Sequence, residues 1–229
     1  MSNTSRGPAE KGSKYWMQEV VNRPDMRKSL NEMIGDHDIN WISPLAGPDK
    51  TYDEYTLNQK TLPKLRELGF PGDPQFFSFW PRRQPQWDGI ALSGDQHTLY
   101  LVEAKAHISE LNSKLSASSG ESIRIIENTL RSVHDTHYPK GDFTNWISKY
   151  YQLANRLSFL SILNEKAPYG SIKGVKLILL NFLNDHTYMP EPAPVWEEHY
   201  REVWLEMIGQ DTAPDNVLVI DYDVDSLSK

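Results

Sequence analysis

The 229-residue sequence contains no cysteine. That excludes a disulfide scaffold and any thiolate metal site, and it suits a cytoplasmic location. No apolar run approaches the roughly 18 uncharged residues that a membrane span needs, so a soluble chain with no membrane partner is expected. The opening "MSNTSRGPAEKGSK" lacks the apolar centre of a secretion signal and reads as a flexible leader over residues 1–14. No histidine cluster is evident: His134 and His137 stand at helical spacing with no third ligand, which predicts solvent-facing side chains. There is also no general excess of positive charge, since the net charge is −7. This argues against a nucleic-acid coat.

The charge is uneven, however. Residues 185–229 hold eleven acids against Arg201 and Lys229, while the first 184 residues carry 20 acids and 22 bases. An acidic C-terminal region thus follows a near-neutral body that has room for a phosphate-binding face. The simpler alternative is a solvated acidic surface. A hydrophobic content of 38% fits one globular domain over residues 15–229.

Periodicity orders the elements. "SKYWMQEVVNRPDMRKSLNEMIG" predicts helix, split or kinked at Pro24 and stopped by Gly35. "INWISPL" suggests a short extended segment, and "TYDEYTLNQKTLPKLRELGF" a second helix that completes a helical region over residues 15–70. Strand patterns follow in "QFFSFW", "WDGIAL" and "TLYLVEAK", with the basic turn "PRRQPQ" between the first two. Helices are expected in "SASSGESIRIIENTLRSVHDT", in the long "FTNWISKYYQLANRLSFLSILNE" and in "VWEEHYREVWLEMIG". "GVKLILLNFL" and "NVLVIDY" complete the strands. The fold class read from this order is α/β, a mixed central sheet with helices on both faces.

The charges in "WDGIALSGDQHTLYLVEAKAH" sit where a buried hairpin should want none. "SGDQHT" is a turn signal. If Leu92 faces Leu99, then Ile90 faces Leu101 and Asp88 faces Glu103, with Lys105 on the same side as Glu103. A one-residue slip would separate the two acids onto opposite faces. Adjacent carboxylates repel and lose solvation; a divalent cation taking oxygens from both relieves each cost. Magnesium suits such hard oxygen donors. Lys105 could then orient water or neutralise charge on a phosphoryl group. The competing reading is a strand end with ordinary surface charges.

An aspartate, a hairpin and "EAK" closing an apolar strand together resemble the PD-(D/E)xK nuclease superfamily, whose fold is called restriction-endonuclease-like. The order of elements is similar from about Thr51 to Leu183. "WISPL", "YDEY", "FWPRRQPQWDGIAL", "LVEAKAH" and "YQLANRL" are similar to an uncharacterised bacterial branch of it. Trp87 stands where the motif carries proline.

The resemblance implies a restriction-endonuclease-like core, Asp88 and Glu103 as metal ligands, Lys105 as the catalytic lysine, and the Ala104 carbonyl as a further ligand. It implies Mg2+, with Mn2+ as a substitute. Among family members a first-core-helix acid often joins the metal; Glu54 is the first choice, with Glu19 and Glu32 as rivals. Gln152 resembles the polar residue that a later helix supplies to the catalytic group. Arg82 and Arg83, in the loop before Asp88, and Arg156, on the helical face of Gln152, are candidate nucleic-acid contacts, although Arg156 could instead pair with an acid. Trp80 and Trp87 are more suited to the core than to stacking on a base. His107 is not assigned as a catalytic base.

The expected activity is metal-dependent hydrolysis of phosphodiesters in nucleic acid, DNA before RNA, by an endonuclease or exonuclease. A homodimer would serve cleavage of both strands. Two alternatives stand beside it. One is a non-catalytic nucleic-acid- or protein-binding protein on a nuclease scaffold, and the other is a hydrolase of a different phosphoester.

Overall fold

A computed structural model describes residues 7–58 and 62–225. Part of the expected leader, residues 1–6, lies outside the described residues, and the first helix begins at Gly12. Helices α1 (Gly12–Asn22) and α2 (Pro24–Ile34) meet at Pro24. A proline in the first turn costs no helical hydrogen bond, so the residue that ends α1 also starts α2. Gly35 closes α2 with φ 81°, a left-handed conformation that glycine adopts without a Cβ penalty.

The strands are β1 (Asn40–Ser43), β2 (Gly89–Leu92), β3 (Thr98–Lys105), β4 (Gly174–Leu183) and β5 (Val217–Asp223). They lie in that order in one sheet, with β1, β2 and β3 antiparallel in succession and β3, β4 and β5 parallel. The β2–β3 register pairs Leu92 with Leu99 and Ile90 with Leu101, as the hairpin reading requires. Alternation along β3 and β4 divides the core. Val102, Ala104, Ile178, Leu180 and Phe182 face α1 and α2. Leu99, Leu101, Leu177 and Leu179 face the opposite layer of helices. That layer comprises α4 (Gly120–His137), α5 (Phe143–Ser148), α6 (Tyr151–Lys166) and α7 (Ala193–Ile208), with the short α3 (Pro63–Glu67) beside it. Burial on both faces explains why these strands are apolar almost without interruption. Among the described residues, no helix is long and apolar enough to cross a membrane.

Several elements depart from expectation. The second helical region shrinks to α3. Proline disfavours helical geometry in the residue before it, and Leu62 sits outside the helix at φ −108°, ψ 63°. Further upstream, Thr56 donates to Asn58 Oδ1, and Tyr55 pairs its backbone with Trp87 instead of coiling. "QFFSFW" forms turns, not a strand: the N–H groups of Phe76, Ser78 and Trp80 each bond three residues back. Its rings pack edge-on against one another and against Phe70, Phe159 and Tyr169. The long helix over Phe143–Lys166 breaks at Lys149 and Tyr150, where backbone pairing with Ser113 interrupts the helical ladder. His134 is buried between Phe143 and Trp146 and close to the Gly141 carbonyl, so its expected solvent exposure is corrected. The acidic C-terminal region is no appendage either. Residues 193–223 supply α7 and β5 to the core.

Candidate active site

Strand β2 begins one residue after Asp88, so β3 continues past it without a strand partner on that edge, while β4 pairs the other. The Asp88 side chain fills that place: its Oδ2 accepts from the Ala104 N–H at 2.8 Å. The N–H and C=O of one residue point to the same edge of a strand, so the Ala104 carbonyl lies on the Asp88 side of β3. Continuing the observed register sets Asp88 opposite Glu103.

Glu103 and Lys105 carry the α4–α7 face of β3 onward where the apolar residues stop. Both are buried, at 3% and 7% exposure. The Lys105 ammonium donates to Glu103 Oε1. The Arg156 guanidinium, on α6, donates to Glu103 Oε2 at 2.6 Å and to the Gln86 carbonyl at 2.7 Å, and lies 4.5 Å over the Trp87 ring. Two cations therefore flank one carboxylate beneath a second one.

The electrostatics follow from this placement. Burial pushes the Asp88 carboxyl up to about 7, and repulsion from Glu103 adds to the shift against the pull of Lys105. Burial also works to raise Glu103, but Arg156 and Lys105 outweigh it and hold Glu103 below its ordinary value. Desolvation opposes the charge on Lys105, yet Glu103 and Asp88 prevail and raise it. Deeper along the same face, β-register aligns Lys105 with Asn181 and Asn181 with Asp221. Asn181 donates to Asp221 at 2.8 Å and accepts from Tyr200 at 3.0 Å.

A cleft of about 750 Å³ opens above Asp88. Glu54, Arg82, Arg83, Asp88, Gln152 and Arg156 all line it. Sequence-nominated residues that are distant along the chain thus share one cavity. Glu103 and Lys105 are not in its lining; they are buried behind it, with Glu103 in contact with Arg156. The detailed settings differ from expectation in places. Glu54 is not on a helix; it belongs to the segment that pairs beside Trp87, and it forms an ion pair with Lys14 at 3.0 Å. Arg156 is 3% exposed and its fork is already engaged, so the acid-pairing role weighed for it is the one the contacts display. Arg82 and Arg83 remain exposed. His107 is turned to Glu191 at 2.9 Å and to Ser109 at 2.6 Å. Trp80 and Trp87 are both core residues.

Among the described residues, no group of three or more histidine, cysteine, aspartate or glutamate side chains forms a metal cage. The oxygen donors at hand are Asp88, Glu103 and the Ala104 carbonyl. Sequence reasoning missed Gln84, which also lines the cleft. Its place in the polar, proline-bounded "PRRQPQ" was the available signal. In comparisons with known proteins the chain matches no family model, no curated protein and no solved structure.

Proposed function

We propose that the protein is a metal-dependent nuclease of restriction-endonuclease-like architecture, hydrolysing phosphodiesters of DNA in the cleft above Asp88. The observation that carries this reading is the hairpin register: it sets Asp88 beside Glu103 and Lys105, under a cleft edged by Arg82 and Arg83. Any protein with a chance "ExK" could place these charges at a strand end. Far fewer would bring an aspartate from the neighbouring strand to the same point.

The donor set suits Mg2+ or Mn2+. Asp88, Glu103 and the Ala104 carbonyl are hard oxygens, and the Asp88 carboxyl is pushed up chiefly by burial and further by repulsion from Glu103, both of which a cation would offset. When bound, magnesium supplies Lewis acidity to the phosphoryl group and lowers the pKa of water. The chain's own residues do the rest. Arg82 and Arg83 hold the entering phosphates, and Gln152 is the polar residue that α6 supplies toward the metal site or the scissile phosphate. Lys105 offsets negative charge that develops on the phosphoryl oxygens. Water oxygen bonds to phosphorus and gives up a proton to solvent, the P–O bond to the leaving nucleoside breaks, and that oxygen takes up a proton from solvent.

One observation favours a second reading, a non-catalytic nucleic-acid-binding protein on the same scaffold. Lys105 and Arg156 already occupy both oxygens of Glu103, an arrangement complete without metal. A substrate panel separates the two. Purified protein with Mg2+ or Mn2+ is expected to cut at least one of linear, nicked, branched or single-stranded DNA, and EDTA to stop it. Binding without cleavage across that panel and RNA, indifferent to EDTA, would decide for the second reading.

A further inference from the structure

A second cavity, of about 480 Å³, opens beside the cleft above Asp88, and Arg83, Pro85, Ser116 and Asn155 are among the residues that line both. The two differ in chemistry. Glu54, Arg82, Arg83, Asp88 and Arg156 put charge around the cleft, whereas Arg83 is the only charged side chain among the described residues around the second cavity. Pro81, Ala117, Ile126 and Tyr151 give that cavity apolar walls, and serine hydroxyls edge it.

Helix α6 brings two polar groups to this space. Tyr151 and Asn155 are four residues apart and share a helical face. Asn155 is 6% exposed, and its Oδ1 accepts from the Arg156 guanidinium at 3.1 Å, which fixes its amide nitrogen as a donor. Among the described residues that nitrogen has no protein partner, and unlike the sealed Nε2 of Gln84 it keeps access to solvent. The Tyr151 hydroxyl is likewise open to solvent and without a protein partner. A donor set in place, hydroxyls that can donate or accept, and apolar walls suit a flat, uncharged heterocycle with a polar edge. Nucleobases have that form, and their faces stack on aromatic rings whatever the base. Phosphate is matched instead by the arginines of the cleft. A base still paired and stacked within a duplex has neither face nor edge to offer such a cavity.

We infer that the second cavity takes an unpaired nucleobase, stacked on Tyr151 and held by Asn155, from the strand whose phosphate lies over Asp88, so that the substrate is single-stranded or frayed nucleic acid. The position of that phosphate rests on the nuclease reading. The cavity itself holds a base whether or not the protein cuts.

Fluorescence anisotropy of a labelled single-stranded DNA octamer, titrated with the full chain in EDTA at low ionic strength, tests it. The octamer is expected to bind at least about tenfold tighter than a fully paired DNA hairpin. Replacing one nucleotide at a time with an abasic residue should find a position whose loss weakens binding about tenfold. That penalty should vanish in Tyr151→Leu, which removes the ring, and persist in Tyr151→Phe, which keeps it. Asn155→Asp retains an acceptor for Arg156 but replaces the donor, and it should also abolish the penalty. No binding of the octamer, equal affinity for octamer and hairpin, no sensitive position, or a penalty that survives in folded Tyr151→Leu would overturn the pocket. Cleavage of the octamer in Mg2+ after such a result would leave the nuclease reading standing. Base-dependent binding without cleavage would count against that reading and leave the pocket in place.

Discussion

Asp88 joins chemistry to stability at a single carboxyl. Its folded pKa of about 7 lies above the ordinary 3.8, so between those values the folded state keeps a proton that the unfolded state releases. Stability from this group is therefore full below about pH 4 and is lost as pH rises toward 7, by on the order of a few kcal/mol. Glu103 acts in the opposite sense, because its depressed pKa contributes stability that is lost as pH falls below its unfolded value of 4.5. Urea unfolding at pH 5 and pH 8 should find Asp88→Asn gaining on the wild type as pH rises. At pH 8, Mg2+ should raise the melting temperature of the wild type and not of Asp88→Asn. Arg156 is the second informative residue. Arg156→Met strips Glu103 of one of its two cations and leaves the Gln86 carbonyl without its donor. Loss of one partner from a buried pair costs about 3–5 kcal/mol, readable as a lower urea midpoint with an unchanged slope. A loss under 1 kcal/mol would mean that Lys105 alone suffices for Glu103.

Among the elements, what local pattern determines was legible, and what tertiary packing determines was not. β4 is an unbroken apolar run and β3 an apolar run ending in charge, and both lie where the pattern put them. The hairpin register followed from turn chemistry and the two-residue period. "QFFSFW" misled because aromatic clustering uses the same residues as a strand. Tyr150 falls inside the pattern of the long helix because its pairing partner, Ser113, is 37 residues distant and leaves no local trace. The same holds at the site. Asp88, Glu103 and Lys105 were legible from spacing, whereas the engagement of Arg156 by Glu103 depends on how α6 docks on the sheet. Docking of α7 can be tested directly. A Cβ on Gly141 would lie 1.8 Å from the Met207 carbonyl oxygen, and the neighbouring Asp142 N–H bonds to Glu206. Gly141→Ala must therefore part the α4–α5 connection from the end of α7, at a cost of about 1–3 kcal/mol. Thermal unfolding should register it, and an unchanged midpoint would show that this junction yields freely.

At the scale of the whole molecule, the sheet separates two layers: α1 and α2 brace one face, and the layer on the other carries Gln152 and Arg156 at the cleft, so the buried charges of β3 lie on the cleft's side of the sheet. Negative charge is concentrated in residues 185–229, while Arg82 and Arg83 stand at the cleft. A polyanion approaching this surface would be favoured at the arginines and repelled by the acidic C-terminal region, which would orient its encounter. Cleavage of linear and single-stranded DNA in Mg2+, compared between the wild type, Asp88→Asn and Lys105→Ala with circular dichroism as the control for folding, tests the assignment most directly. The expected result is cutting by the wild type that EDTA abolishes, and a loss of at least about a hundredfold in either folded variant. Cleavage that persists in folded Asp88→Asn, or that is unaffected by EDTA, would contradict a metal-dependent site at the end of this hairpin.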